Sequence, residues 1–244
     1  MKGGMTHSRP WKRLKGVTDL LDVLDAHLHR PVWWPAETPF EVCAGAVLTQ
    51  NTNWRNAEKA LARLRAEGLL DPAAIPRTGR EELETLVRES GFYRRKAETL
   101  RVLASYINER HGGRVERLSL LPTSEARREL LSLRGIGEET ADAILLYACG
   151  VPVFVADAYA RRLFSRTGLA SGNQSYSAIR KMTERELGGD AGALGRLHAL
   201  VVETGKRFCR RNPLCGECFL SGRCATGRLL SEQQNGIAEH KDEE

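Results

Sequence analysis

The 244-residue chain contains no run of 18 apolar residues, so nothing in it is long and apolar enough to span a bilayer as a helix. Its basic opening, Met1 to Gly16, lacks the apolar stretch of a secretory signal and reads instead as a flexible basic arm. Period-two alternation of apolar and polar residues does not recur, which leaves no case for a sheet. Internal repeats and low-complexity tracts are absent. Cysteine is sparse, at six residues, and without a secretory signal a disulfide framework is not expected. Only one C-x2-C pair occurs, whereas structural zinc typically uses two such pairs.

What recurs is helical periodicity. Ala57, Ala60, Leu61 and Leu64 form one face of a helix over 53 to 67, stopped by Gly68. Thr78 and Glu81 have the spacing of a capping box for a helix through Leu83, Leu86 and Val87. Further helices fit 94 to 110 (ended by Gly112-Gly113), 176 to 187 and 191 to 207, and connections with Pro72, Pro76, Pro122 and Pro152 separate the helical segments. The fold class expected is all-α. His198 shares a face with Leu194, Leu197 and Val201 and reads as a core histidine rather than a catalyst. Cys43 and Cys149 sit in apolar helical segments as small core residues.

Lys and Arg outnumber Asp and Glu by 37 to 31. Residues 226 to 244 hold two basic and five acidic side chains and read as a disordered tail, leaving about +9 on the body before them. Such a body favours a polyanionic partner and salt-sensitive binding.

The most informative stretch is Leu133-Arg134-Gly135-Ile136-Gly137-Glu138-Glu139-Thr140-Ala141. It joins a helix over 124 to 132, opened by Ser124, to one over 138 to 149 with Ala141, Ile144, Leu145 and Ala148 on one face. Glycines in so tight a link permit positive φ and close approach of another molecule. The second helix would aim its first N–H groups at an anion such as a nucleic-acid phosphate. An ordinary αα-hairpin with a glycine turn is the plainer reading. Asp157 precedes a further helix and serves there as an N-cap, or as a carboxylate that stabilises positive charge on a sugar.

Four cysteines cluster as C-x5-C-x2-C-x5-C: Cys209, Cys215, Cys218 and Cys224. One close pair with wide flanks suits a cubane cluster better than zinc. Lys206, Arg207, Arg210, Arg211 and Arg223 surround them, either as phosphate contacts or to offset anionic thiolates.

These segments carry a family resemblance. Residues 133 to 141 with Asp157 resemble the helix-hairpin-helix and trailing aspartate of the endonuclease III superfamily of base-excision DNA glycosylases. Ala46-Val47-Leu48-Thr49-Gln50-Asn51-Thr52 is similar to its glutamine-bearing segment, and Gly91-Phe92-Tyr93-Arg94-Arg95-Lys96-Ala97-Glu98 to its Gly-Leu-Tyr-x-x-Lys-Ala signature. The cysteine loop resembles its iron–sulfur loop, one residue shorter in the first gap. All four stand in family order over roughly residues 20 to 225.

The resemblance implies an organisation. A helix within 17 to 36 packs with the C-terminal domain, a six-helix barrel spans 37 to 152 with the hairpin at 124 to 149, and a second helical domain over 153 to 225 carries a [4Fe–4S] loop at 209 to 224. The substrate cleft then lies between the domains, with Asp157 on its edge. The partner is double-stranded DNA with a damaged base, the protein a monomer, and the location cytoplasmic, on the nucleoid. No membrane is involved.

It also implies site roles. Gly135, Ile136 and Gly137, with Lys206, Arg210 and Arg211, grip the backbone. Gln50 enters the stack vacated by the extruded base, and Phe92 takes the place of the family's wedge leucine, unless it is ordinary core. From the residues themselves, Trp33, Trp34 and Pro35 set aromatic faces beside a rigid turn and read as the base pocket, or else as a plug joining the domains. Cys209, Cys215, Cys218 and Cys224 hold the cluster. Asp157 and Glu139 are the catalytic candidates. Glu139 stands in the slot where bifunctional members carry the Schiff-base lysine, and a carboxylate forms no imine. The function expected is a monofunctional glycosylase, closest to the 3-methyladenine type that removes alkylated purines. The alternatives are a glycosylase with lyase activity on oxidised pyrimidines, and a non-catalytic iron–sulfur DNA-binding protein.

Overall fold

The computed structural model describes residues 12–29 and 33–239. Among the described residues there is no strand, and the chain divides into two compact units. One comprises Val32–Val155 with Gly188–Gly195; the other comprises Met1–Pro31, Ala156–Leu187 and Arg196–Glu244. Trp33, Trp34 and Pro35, expected beside the N-terminal helix, thus fall within the first unit. Most of the basic arm expected over 1 to 16 lies outside the described residues.

Among its described residues the first unit holds α2 (Pro39–Leu48), α3 (Trp54–Ala66), α4 (Arg80–Leu86), α5 (Tyr93–His111), α6 (Thr123–Ser132) and α7 (Glu138–Ala143), together with the start of a later helix. Nine of the ten α2 residues are buried, so this helix is covered on every face and others surround it. Its start is fixed by Pro39 and by the Thr38 hydroxyl, which accepts the Glu41 N–H at 3.2 Å. Arg65 of α3 pairs with the buried Glu41 carboxylate. At its other end, Lys96 of α5 donates from Nζ to the Leu48 carbonyl at 2.8 Å and the Ser90 carbonyl at 2.5 Å. Burial pushes that amine down to about 8.

Three local expectations differ. Thr78 does not cap α4: it ends a short 3₁₀ turn over Ile75–Arg77, its hydroxyl bonds back to the Ala74 carbonyl at 3.1 Å, and Gly79 is the N-cap. Ser124 is not the first residue of α6, which starts one residue earlier behind Pro122. The helix expected over 138 to 149 keeps its direction but widens into a π turn over Ile144–Ala148.

The second unit holds α1 (Val17–His27), α8 (Ala158–Thr167), α9 (Tyr176–Glu186), α11 (Ala225–Glu239) and the part of α10 (Ala191–Arg207) from Arg196 onward. Leu20, Leu24, Phe164, Leu197 and Leu200 are fully buried there. Each such side chain contributes roughly 1.5–3 kcal/mol of transfer free energy. The Val17 N–H donates to the Glu186 carboxylate at 2.6 Å and ties the start of α1 to α9.

The segment expected as a disordered tail is helical through Glu239, and residues 240–244 lie outside the described ones. Its acidic composition hid two local supports. The Arg228–Glu232 pair at 2.6 Å bridges successive turns, and the first turn is tied to Cys224, whose carbonyl accepts the Arg228 N–H at 3.0 Å.

Candidate functional site

Gly135 takes φ +90°, where an L side chain is strained, and a Cβ there would overlap the Thr99 hydroxyl of α5. Gly137 has φ −100° and no atom near the place of its missing Cβ; its use is an open face, not a special dihedral. It precedes α7 as an N-cap without any side-chain cap. Between the glycines, the Ile136 side chain is only 5% exposed and its N–H is donated to the Leu133 carbonyl at 3.1 Å. The Ile136 side chain thus anchors the hairpin from inside. Arg127 braces α6 to α7, with Nε on the Asp142 carboxylate at 2.7 Å and Nη2 on Glu138 at 2.9 Å.

Gln50 is also part of this brace. Its Nε2 donates to the Gly135 carbonyl at 3.0 Å and to the Thr140 hydroxyl at 2.9 Å. The amide expected to enter a vacated base stack is bonded here to the hairpin. Phe92 stands at the start of α5 with φ +47° and is 69% exposed. A large apolar ring held out on a left-handed residue is not core packing. Glu139 lies exposed on the first turn of α7.

Trp33 and Trp34 belong to a larger aromatic group than the sequence suggested. Their rings stand 5.5 Å apart, and Trp34 also meets Trp54 at 5.5 Å and Tyr147 at 5.7 Å. Gly45 makes room for it, since a Cβ there would lie 2.7 Å from the Trp34 Nε1. The Tyr147 hydroxyl donates to the Gly195 carbonyl at 3.2 Å. Pro35 is exposed. Trp54 and Tyr147 were missed in the sequence because nothing in their spacing links them to Trp34.

In the second unit, Asp157 is 8% exposed and does cap α8: Oδ1 accepts the Ala160 N–H at 2.7 Å. Its other oxygen, Oδ2, faces His198 Nε2 at 3.6 Å.

Cys209, Cys215, Cys218 and Cys224 line one small pocket with Leu163, Phe208 and Leu220. Their surroundings suit thiolates bound to iron. Arg166 places Nη1 3.5 Å from the Cys209 sulfur, the Leu220 N–H bonds Cys218, and the N–H groups of Thr226 and Gly227 bond Cys224. Burial raises the thiols of Cys215, Cys218 and Cys224, so a cationic centre is needed to hold them ionised. Arg166 also donates to the carbonyls of Arg210 at 2.5 Å and Arg211 at 2.8 Å, fixing the gap that is one residue short. Lys206, Arg210 and Arg211 are exposed beside the loop, and Arg210 Nε bonds the Lys206 carbonyl at 3.0 Å. Arg223 instead pairs with Asp19 at 3.0 Å.

Comparison with known proteins places this geometry in a family. Residues 44–187 match the HhH-GPD superfamily base excision DNA repair proteins, and residues 210–224 match the iron–sulfur binding domain of endonuclease III. A putative DNA repair glycosylase of Methanocaldococcus jannaschii is 42% identical over 203 residues, covering 83% of this chain and 92% of that protein. Endonuclease III of Thermotoga maritima is 33% identical over 190 residues, covering 76% and 82%. Among solved structures, the H. pylori 3-methyladenine DNA glycosylase bound to 1,N6-ethenoadenine superposes with a TM-score of 0.70 at 28% identity, covering 79% of this chain and 98% of that one.

The chain belongs to the HhH-GPD superfamily of base excision DNA repair proteins. Within it, this is a DNA glycosylase of the endonuclease III family, and its cofactor is a [4Fe–4S] cluster.

Proposed function

We propose that this glycosylase is monofunctional and removes alkylated purines from duplex DNA, acting as a monomer on the nucleoid of the cytoplasm. The observation that carries the reading is Glu139, an exposed carboxylate where the family resemblance places the imine-forming lysine of bifunctional members. Lys96 offers no substitute amine, because its Nζ is buried on the Leu48 and Ser90 carbonyls. The aromatic group around Trp34 supports the substrate class. An alkylated purine is cationic and electron-poor, and tryptophan faces attract such rings. The similar H. pylori protein is itself a 3-methyladenine glycosylase.

The chemistry then runs in steps. The hairpin holds the strand while the nucleotide is extruded, at a cost of a few kcal/mol. Phe92, already exposed, wedges into the vacated stack. Gln50 follows only by releasing Gly135 and Thr140, so lesion extrusion draws on the hairpin's own bracing. As the N-glycosidic bond breaks, the cationic base leaves neutral with the bonding electrons and the positive charge passes to the sugar. Asp157 stabilises that charge through Oδ2, the oxygen not taken by the Ala160 N–H. Water adds at C1′ and loses a proton, leaving an abasic site. The [4Fe–4S] cluster serves the fold, since this reaction moves no electrons.

A panel of duplexes, each with one defined lesion, tests the reading. Alkylated purines should be released as free base, with strand scission only after alkali and no borohydride-trapped complex. Asp157→Asn keeps the cap and should abolish release with almost unchanged duplex affinity. Efficient trapping by the wild type, or wild-type turnover by Asp157→Asn, would refute it.

A further inference from the structure

His198 has no place in the functional reading so far, yet it is only 4% exposed and its Nε2 stands 3.6 Å from Asp157 Oδ2. Packing alone does not account for it. Leu194, Leu197, Leu200 and Val201 on the same helix are all fully buried, and an imidazole costs more than a leucine in such surroundings. The two oxygens of Asp157 meet different neighbours. Oδ1 is fixed by a hydrogen bond from the Ala160 N–H, whereas Oδ2 has the imidazole edge beside it. At 3.6 Å the ring nitrogen is too far for a direct hydrogen bond and close enough to stop Oδ2 from swinging around the pinned oxygen. A short charge-assisted bond would draw off the negative charge. A ring at this separation aims the carboxylate and leaves its charge available.

We propose that His198 is a positioning residue for base release, holding Asp157 Oδ2 in the orientation from which it faces the sugar cation. The proposal rests on the reading of Asp157 as the charge-bearing group. It gives that group a second determinant, on a different helix from the cap.

The test uses the full-length, cluster-loaded protein on duplex DNA methylated beforehand, with single-turnover release of methylated purines as the readout. His198→Leu keeps volume and burial but removes the ring nitrogen, whereas His198→Gln returns an N–H near the Nε2 position. His198→Leu should slow release by about 10- to 100-fold with duplex affinity held within about twofold, the pattern of lost orientation rather than lost binding. His198→Gln should recover most of the rate, and neither variant should melt earlier than the wild type. Wild-type release by His198→Leu overturns the proposal. So does equal slowing of both variants with a lowered melting temperature, which would assign His198 to packing. Asp157→Asn is run in parallel. If it is inactive while His198→Leu is normal, only the role of His198 falls; if Asp157→Asn itself releases base normally, or the wild type releases none, the underlying reading falls with it. The Asp157→Asn/His198→Leu double variant should be no slower than Asp157→Asn alone.

Discussion

Gly135→Ala should destabilise the protein far more than Gly137→Ala, although the two glycines are one residue apart in the hairpin. At Gly135 an alanine meets two separate penalties. The first is backbone strain: φ +90° is open to glycine and costs an L residue about 1–2 kcal/mol. The second is steric. The new Cβ overlaps the Thr99 hydroxyl and lies 3.1 Å from both Thr99 Cβ and Cγ2, on a buried residue whose hydroxyl donates to the Arg95 carbonyl at 2.9 Å. Displacing that hydroxyl costs about 1–2 kcal/mol more. The sum, about 2–4 kcal/mol, corresponds to roughly 4–16 °C in melting temperature for a chain of this size. Chemical denaturation of the cluster-loaded protein measures it, and Thr99→Ala separates the terms. In that background the overlap with the hydroxyl and Cγ2 is gone, so Gly135→Ala should cost about 1–2 kcal/mol, mostly backbone strain, with the tight approach to the remaining Cβ of residue 99 adding to it. Gly137 has an ordinary φ and open space at its Cβ, so Gly137→Ala should cost only the N-cap preference for glycine over alanine, about 1 kcal/mol or less, and weaken duplex binding by crowding the outer face of the hairpin. A Gly135→Ala protein as stable as wild type would refute the account of the turn. A Gly137→Ala protein with undiminished duplex affinity would show that this face does not meet the backbone.

Glu139→Lys restores an amine on the first turn of α7 and should give a weak borohydride-trapped complex on an alkylated duplex, where the wild type gives none; if neither traps, Glu139 does not occupy the lysine slot. The lowered value of Lys96 has a pH signature. Because the folded amine titrates near 8 and the unfolded one higher, the unfolded chain binds more protons between these values, and stability from this group rises with pH across that window. Denaturation of the wild type and of Lys96→Met at pH 8 and pH 10 checks this, since the difference between their stabilities should shift in favour of the wild type at the higher pH. Cys218→Ser should lower iron content and folded yield together, measured by metal analysis of the purified protein, and a fully loaded, fully soluble variant would remove Cys218 from the ligand set.

The sequence disclosed most where one residue type has one physical use. Gly135 stood out because little else fits a tight helix-to-helix link, and the cysteines because four thiols at that spacing have few employments. Asp157 as an N-cap followed from its place before a helix, and the structure bears that out with the bond to Ala160. What stayed hidden depends on contacts between distant segments. Gln50 reaches Gly135 and Thr140 across some ninety positions of chain, so local patterning points to an external task for it and does not show the internal one. The burial of Ile136 between two glycines stayed hidden as well, because nothing in the spacing shows which way its side chain turns. The helix after Cys224 was obscured by composition: acidic and polar residues argued for disorder, whereas the cluster loop anchors its first turn. His198 shows the limit most directly. Its helical face is apolar by sequence, and only the fold shows that one edge of that face meets Asp157 rather than another leucine. Periodicity says which way a side chain points, but what it meets there is decided by a helix arriving from elsewhere in the chain.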